Sequence, residues 1–260
     1  MAYVIAVANE KGGVAKTTTT VSIGASLADA GQRVLLIDLD PQANLSLALG
    51  AEPEKLQKTI AKVFTDSGSL RSVITETNVK NLDLIASNIE MGMLERFLPT
   101  RAGYETAIRR TLTNNIFDYQ FLIFDCPPFL GAVTLNALVA ANLLLVPTQA
   151  EYFSIYALRN LMNLLRRIRT QYNPGLTYRL ILTMYDRRNR IHRNLYEQLQ
   201  TTFGNGLFST IIETDTKLRE SSIAGMPIIF HAPKSRSAIQ YRALSQEIMQ
   251  YVKETTAQPA

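Results

Sequence analysis

An apolar run at residues 4–8 leads straight into Asn9-Glu10-Lys11-Gly12-Gly13-Val14-Ala15-Lys16-Thr17-Thr18, and a helical pattern follows over residues 17–30, ending at Gly31. A strand that turns through two glycines and continues as a helix is the opening unit of a parallel α/β sheet, because parallel strands need a crossover and a helix supplies it. The rest of the chain repeats this alternation. Short apolar runs recur at residues 34–37, 82–85, 121–124, 143–146, 180–182 and, more weakly, 208–212, while helical periodicity fills residues 154–171 and 191–203. Runs without polar alternation suit strands covered on both faces, so the expected fold is α/β, a doubly wound, mostly parallel sheet flanked by helices. Residues 51–80 give no clear pattern. With no repeat, low-complexity tract or Pro/Ser-rich linker, the expected division is one domain over residues 1–254 and a short tail over 255–260.

Composition narrows the function classes. A chain of 260 residues with 47% hydrophobic and 19% charged residues has material for a large core and is not a mostly disordered chain. The single cysteine, Cys126, excludes an intrachain disulfide framework and any zinc or iron–sulfur site made by cysteines of one chain, so a reducing, cytoplasmic setting is expected. Residues 1–8 read as a buried strand rather than a secretory signal. No segment approaches the ~20 apolar residues that span a bilayer, since residues 137–146 are interrupted by Asn142 and stopped by Pro147.

The loop after the first strand has the chemistry of a phosphate cradle. Gly12 and Gly13 permit backbone conformations that turn successive N–H groups inward, Lys16 reaches the outer phosphates and the Thr17 hydroxyl ligates Mg²⁺. The strict pattern G-x-x-x-x-G-K-S/T fails twice, because Glu10 and Ala15 stand where its glycines belong. The chain matches K-G-G-x-x-K-S/T instead, with the extra lysine at Lys11, which is the deviant Walker A form. In this loop, and in Asp38-Leu39-Asp40-Pro41-Gln42-Ala43-Asn44, Asp125-Cys126-Pro127-Pro128, Leu182-Thr183-Met184-Tyr185-Asp186 and the stretch around Lys217-Leu218-Arg219-Glu220, the chain resembles the ParA/MinD family of P-loop ATPases, closest to its small partition ATPases. The resemblance covers nearly the whole chain.

That resemblance implies a P-loop fold with ATP and Mg²⁺ as cofactors. The nucleotide is then held by Lys11, Gly12, Gly13, Val14, Ala15, Lys16, Thr17 and Thr18, and Lys11 crosses a sandwich homodimer to the phosphates in the other subunit. A cation from each side offsets the repulsion of two nucleotides buried face to face. The resemblance further implies that Asp40 positions or activates the attacking water, that Asp38 organises the magnesium and phosphate environment, and that Asp125 holds Mg²⁺ through its water shell. Lys11, Lys16 and Asp40 are thus the catalytic candidates, and Thr17, Asp38 and Asp125 the metal candidates. Residues 40–44 and 125–131 are the expected switch loops. Glu213, Thr214 and Asp215 are expected near the adenine. Ala15 departs from the strict pattern; since alanine adopts ordinary helical φ, nucleotide binding is expected to tolerate it.

Charge points to a partner. From Arg159 to Arg193 there are nine arginines, no lysine and one acid, Asp186, although the whole chain carries only +5. Arg187, Arg188, Arg190 and Arg193 crowd one loop and a helix start, near where family members bind DNA without sequence preference, and Lys217 and Arg219 are candidates to extend the patch. The alternative is a solvated helix face. The residues 251–260 are too polar for the membrane-binding helix of MinD-like relatives, so no stable membrane anchor is expected, and with Lys11 near residue 1 no preceding DNA-reading domain is expected either. The expected function is an ATPase that dimerises on ATP, binds nonspecific DNA and is stimulated by a ParB-like or cargo-adaptor protein. Its expected work is segregating DNA or positioning cargo over the nucleoid. The alternatives are a membrane-associated MinD-like positioning ATPase, a P-loop ligase or kinase acting on a small molecule, and a non-hydrolysing scaffold.

Overall fold

The computed structural model describes residues 2–65, 69–113 and 118–257. Its strands are β1 (Tyr3–Val7), β2 (Val34–Asp38), β3 (Ile74–Glu76), β4 (Leu82–Ile85), β5 (Phe121–Asp125), β6 (Leu143–Thr148), β7 (Thr177–Tyr185) and β8 (Leu207–Glu213). The helices are α1 (Lys16–Asp29), α2 (Asn44–Ala48), α3 (Ile60–Thr65), α4 (Glu90–Phe97), α5 (Ala107–Thr113), α6 (Ala132–Ala140), α7 (Tyr152–Gln171), α8 (Arg190–Phe203), α9 (Lys217–Ile223), α10 (Ile228–His231) and α11 (Arg236–Ala257). The strands form one sheet in the order β3-β4-β2-β5-β1-β6-β7-β8, in which every neighbouring pair is parallel except β3 with β4.

The continuous apolar runs have the expected cause. Along β1, Ile5 and Val7 join a core with Val21, Ile23 and Leu27 of α1 and Tyr241 and Leu244 of α11. Val4 and Ala6, of opposite parity, join the other core with Leu135 of α6 and Leu158 and Leu161 of α7. Both faces are therefore covered. Gly24 lets α1 sit directly on β2: a Cβ there would lie 2.7 Å from Leu36 Cδ2. Thr19 Oγ1 meets Tyr241 Oη at 3.2 Å, tying α1 to α11 and fixing the helix that starts at the phosphate loop.

Three features differ from the sequence expectation or extend it. Within the unreadable residues 51–80 lie α3 and the three-residue antiparallel edge strand β3, both too short to carry a period. The 22-residue α11 went unread as a helix. It runs through Ala257, so residues 255–257 are helical rather than tail: Tyr251 packs edge-on to Phe208 at 6.1 Å and Thr255 Oγ1 donates to the Tyr251 carbonyl at 2.9 Å. Residues 258–260 lie outside the described residues. No helix among the described residues is long and apolar enough to cross a membrane.

Candidate nucleotide site

The carboxyl ends of β1, β2, β5, β6 and β7 converge on the loop of residues 9–16, as the crevice of an open α/β sheet requires. Asn9 ties the loop down, its Nδ2 donating to the Pro147 carbonyl at 2.8 Å and its Oδ1 accepting the Lys11 N–H at 3.0 Å. Thr183 Oγ1 donates to the Val14 carbonyl at 3.1 Å, and Gln149 Nε2 to that of Gly13 at 3.1 Å. The side-chain space at Gly12 and Gly13 is open, and Gly13 has φ +73°. No side chain caps the first turn of α1, so its orphan N–H groups face the loop.

Ala15 corrects one expectation. It occupies the left-handed region, at φ 64° and ψ 36°, as the N-cap of α1, not the ordinary helical region. Turning the loop into the helix demands that conformation, which is why the strict pattern places glycine there. A left-handed alanine costs about 1–2 kcal/mol, partly matched by glycine's larger entropy loss of about 0.5–1 kcal/mol. Ala15→Gly is therefore expected to raise the melting temperature of the nucleotide-free chain by about 2 °C. A lower melting temperature in a thermal scan would show that the methyl group is stabilising.

Lys16 is buried beneath the loop, its Nζ donating to the Lys11 carbonyl at 3.2 Å; burial lowers its ammonium below the ordinary lysine range, against the pull of Asp125. Thr17 Oγ1 donates to Asp125 Oδ2 at 2.7 Å and Thr20 Oγ1 to Asp125 Oδ1 at 3.1 Å. Thr18 follows on the same turn, half-buried in a cleft it shares with Asn44 and Ser222. Asp38 pairs in register with Asp125 on the neighbouring strand, and both are fully buried. Burial pushes both carboxyls above the ordinary range; the charge of Asp125 adds to this at Asp38, while the threonine hydroxyls oppose it at Asp125. Cys126 is buried, which raises its thiol and leaves it without chemistry.

Two sealed carboxylates beside an alcohol and a desolvated ammonium fit a magnesium–triphosphate, whose opposite charges offset each of them. Among the described residues no group of three or more His, Cys, Asp or Glu side chains is arranged to hold an ion alone. Thr17, phosphate oxygens and water would complete such a shell. The Asp38 carboxylate is engaged within the chain: Oδ2 accepts from Ser46 N at 2.9 Å and Ser46 Oγ at 2.7 Å, and Oδ1 from Asp40 N at 3.1 Å. This clamps residues 38–46 into a turn. Asp40 lies in that turn, 8% exposed, its Oδ1 accepting Gln42 N at 2.9 Å.

The two lysines of the loop diverge. Lys11 Nζ lies at the rim, donating to Gln149 Oε1 at 3.1 Å and pairing with Glu151, which is half exposed. Sequence reasoning missed Gln149, Glu151 and Ser46. The first two follow β6 at the carboxyl edge, so the position after an apolar run was the available signal.

The remaining candidates are less united. Glu213 ends β8; Oε1 accepts Arg187 Nε and Gln240 Nε2 at 3.0 Å each, and Oε2 accepts Arg236 at 3.0 Å. Asp215 accepts the N–H groups of Lys217 at 3.0 Å and Ser237 at 3.2 Å, and the Thr214 carbonyl accepts from Arg236. These acids tie β8 to α9 and α11. The arginine segment is split: Arg179 lies near the start of β7, stacked 4.2 Å from the Tyr251 ring, whereas Arg187 lies past its end, roughly 25 Å away at 3.3 Å per residue. Arg188 is bidentate to Asp186, which it holds at about 2, well below the ordinary carboxylate range. Lys217 pairs with Glu220 at 2.7 Å, and Arg219 is exposed on α9. Arg190 and Arg193 are exposed at the start of α8.

Comparison with known proteins places this geometry. A family model described as an AAA domain matches residues 2–178. The chain is 36% identical to the sporulation initiation inhibitor protein Soj of Bacillus subtilis over 249 residues, covering 95% of this chain and 98% of Soj. It is 32% identical to the chromosome partitioning protein ParA of Caulobacter vibrioides over 260 residues, covering 99% and 97%. Among solved structures it is similar to cobyrinic acid a,c-diamide synthase from Mycobacterium smegmatis with bound ADP and magnesium, at 33% identity and a TM-score of 0.86, covering 97% and 96%. With the deviant loop, its two diverging lysines and the paired carboxylates in place, the chain belongs to the ParA/MinD family of P-loop ATPases.

Proposed function

We propose that this chain, as one ATPase unit, uses ATP and Mg²⁺, forms a sandwich homodimer on ATP and binds DNA without sequence preference in that state. Hydrolysis, slow alone and stimulated by a ParB-like or cargo-adaptor protein, ends the DNA-bound state. The observation that carries this reading is the divergence of the lysines: Lys16 is sealed under the loop, while Lys11 stands at the rim, where it can serve a nucleotide outside its own loop. Two nucleotides meeting at one interface need that second cation. Thr17 and Asp125 hold the metal, Asp38 organises the turn beside it, and Asp40 positions the water. Residues 40–44 and 125–131 sense the γ-phosphate, and the segment Glu213, Thr214, Asp215 borders the base. The DNA surface runs over Arg187, Arg188, Arg190, Arg193, Lys217 and Arg219. Doubling it on dimerisation raises avidity for one polyanion. The work is done in the cytoplasm, on the nucleoid, and moves DNA or a protein cargo.

Of the arginines, Arg190 and Arg193 are the better probes, because Arg187 and Arg188 each have an acidic partner within the chain. With ATP the protein is expected to sediment with DNA and not with anionic vesicles. Replacing Arg190 and Arg193 by alanine should flatten the log–log salt dependence of DNA binding by about two units. Sedimentation with vesicles alone would favour the MinD-like alternative, and an unaltered slope would move the interface elsewhere. Similarity to a synthase supports a second reading, an ATP-dependent ligase for a small molecule, whose turnover would require a metabolite rather than DNA.

A further inference from the structure

Helix α4 lies beside both proposed switch loops. Glu95, half-buried on α4, accepts the N–H groups of Ala132 through Oε1 and of Val133 through Oε2, the latter at 3.0 Å. Those are the first two residues of α6, and Gly131 before them offers no side chain to cap it. Glu95 thus caps α6 from outside, at the two residues that directly follow the loop 125–131. The fit is close: a side chain at Gly131 would collide with the Glu95 carboxylate.

Three residues earlier, on the adjoining face of α4, Gly92 faces the other loop, where a Cβ would lie 3.8 Å from Pro41 Cβ. The lead-in to α4 is fixed as well. Ser87 N donates to Ser46 Oγ at 3.1 Å, and Ser46 Oγ donates to Asp38 Oδ2 at 2.7 Å. Contacts therefore run from Asp38 through Ser46 and Ser87 to α4, and from Glu95 to the start of α6.

We propose that Glu95 is a positioning residue for hydrolysis: through α4 it joins the loop 125–131 to the loop 40–44, so that the two loops respond to nucleotide as one body. This rests on the reading of those loops as nucleotide sensors. The motion it implies is shared: a change at Pro41 displaces α4, and Glu95 carries the displacement to the first turn of α6.

The test combines amide exchange with kinetics on the full chain, using Mg-ADP and a slowly hydrolysed Mg-ATP analogue. In wild type, both loops should change exchange between the two nucleotides. In Glu95→Ala, exchange at residues 132 and 133 should quicken about tenfold or more, and the loop 125–131 should stop following the nucleotide while 40–44 still does. Its kcat for ATP should fall about tenfold while the Kd for Mg-ADP stays within about twofold, the split expected of lost positioning. Glu95→Gln keeps the shape and one accepting oxygen and should fall between; it carries the test if the alanine variant does not fold. Gly131→Ala, which displaces the carboxylate, should reproduce the loss. A wild-type response that survives intact in Glu95→Ala, with kcat unchanged, overturns this proposal alone. Loops that ignore nucleotide in wild type overturn the sensor reading and this proposal with it.

Discussion

Asp40→Ala is expected to bind ATP within about twofold of wild type yet to lower kcat by about 100-fold, the size of a lost general-base or water-positioning group. The separation follows from the turn. The Asp40 carboxylate is engaged with Gln42 N, whereas the turn itself hangs on Asp38, which accepts from Asp40 N, Ser46 N and Ser46 Oγ. Removing the Asp40 side chain leaves those three bonds in place. Asp38→Ala removes them all from a fully buried site, so that variant should lose stability and nucleotide affinity together. Single-turnover hydrolysis beside equilibrium nucleotide binding distinguishes the two. Normal hydrolysis by Asp40→Ala would assign the water to another group.

Lys11→Ala should abolish ATP-dependent dimers in sedimentation while leaving monomers that still bind nucleotide. Within one chain Lys11 Nζ meets Gln149 and Glu151 at the rim, and the buried ammonium close to the loop's floor belongs to Lys16. Loss of Lys11 therefore spares the chain's own cradle and removes the cation offered across the interface. Without it, two polyphosphates approach with no compensating charge, a repulsion that a low-dielectric interface magnifies. Dimers that form unchanged with ATP would remove the trans role. Loss of nucleotide binding in the monomer would place Lys11 in its own site instead.

The sheet was legible because its central strands are buried on both faces, which leaves an unmistakable apolar run; the parity of Ile5 and Val7 against Val4 and Ala6 is that burial seen in three dimensions. Residue type alone singled out Lys16, Thr17, Asp38 and Asp125, and the fold brings these four side chains together. What stayed hidden depends on geometry that residue type does not carry. Ala15 gives no sign of its left-handed φ except that glycine was missing from the pattern. The arginine segment looked like one patch because the residues are close in sequence, but the nine-residue β7 separates Arg179, near its amino end, from Arg187, past its carboxyl end. Glu95 sits in an amphipathic helix that reads like any other. Only the folded chain brings it to the start of α6.

The proposed cycle turns on nucleotide state governing DNA binding. The direct measurement is the affinity of the wild-type chain for a duplex of arbitrary sequence at one fixed salt concentration, with Mg-ATP, with Mg-ADP and without nucleotide. Binding with ATP should be about 100-fold tighter than in the other two states, because only the dimer presents both basic surfaces to one duplex. Equal affinity in all three states would contradict it.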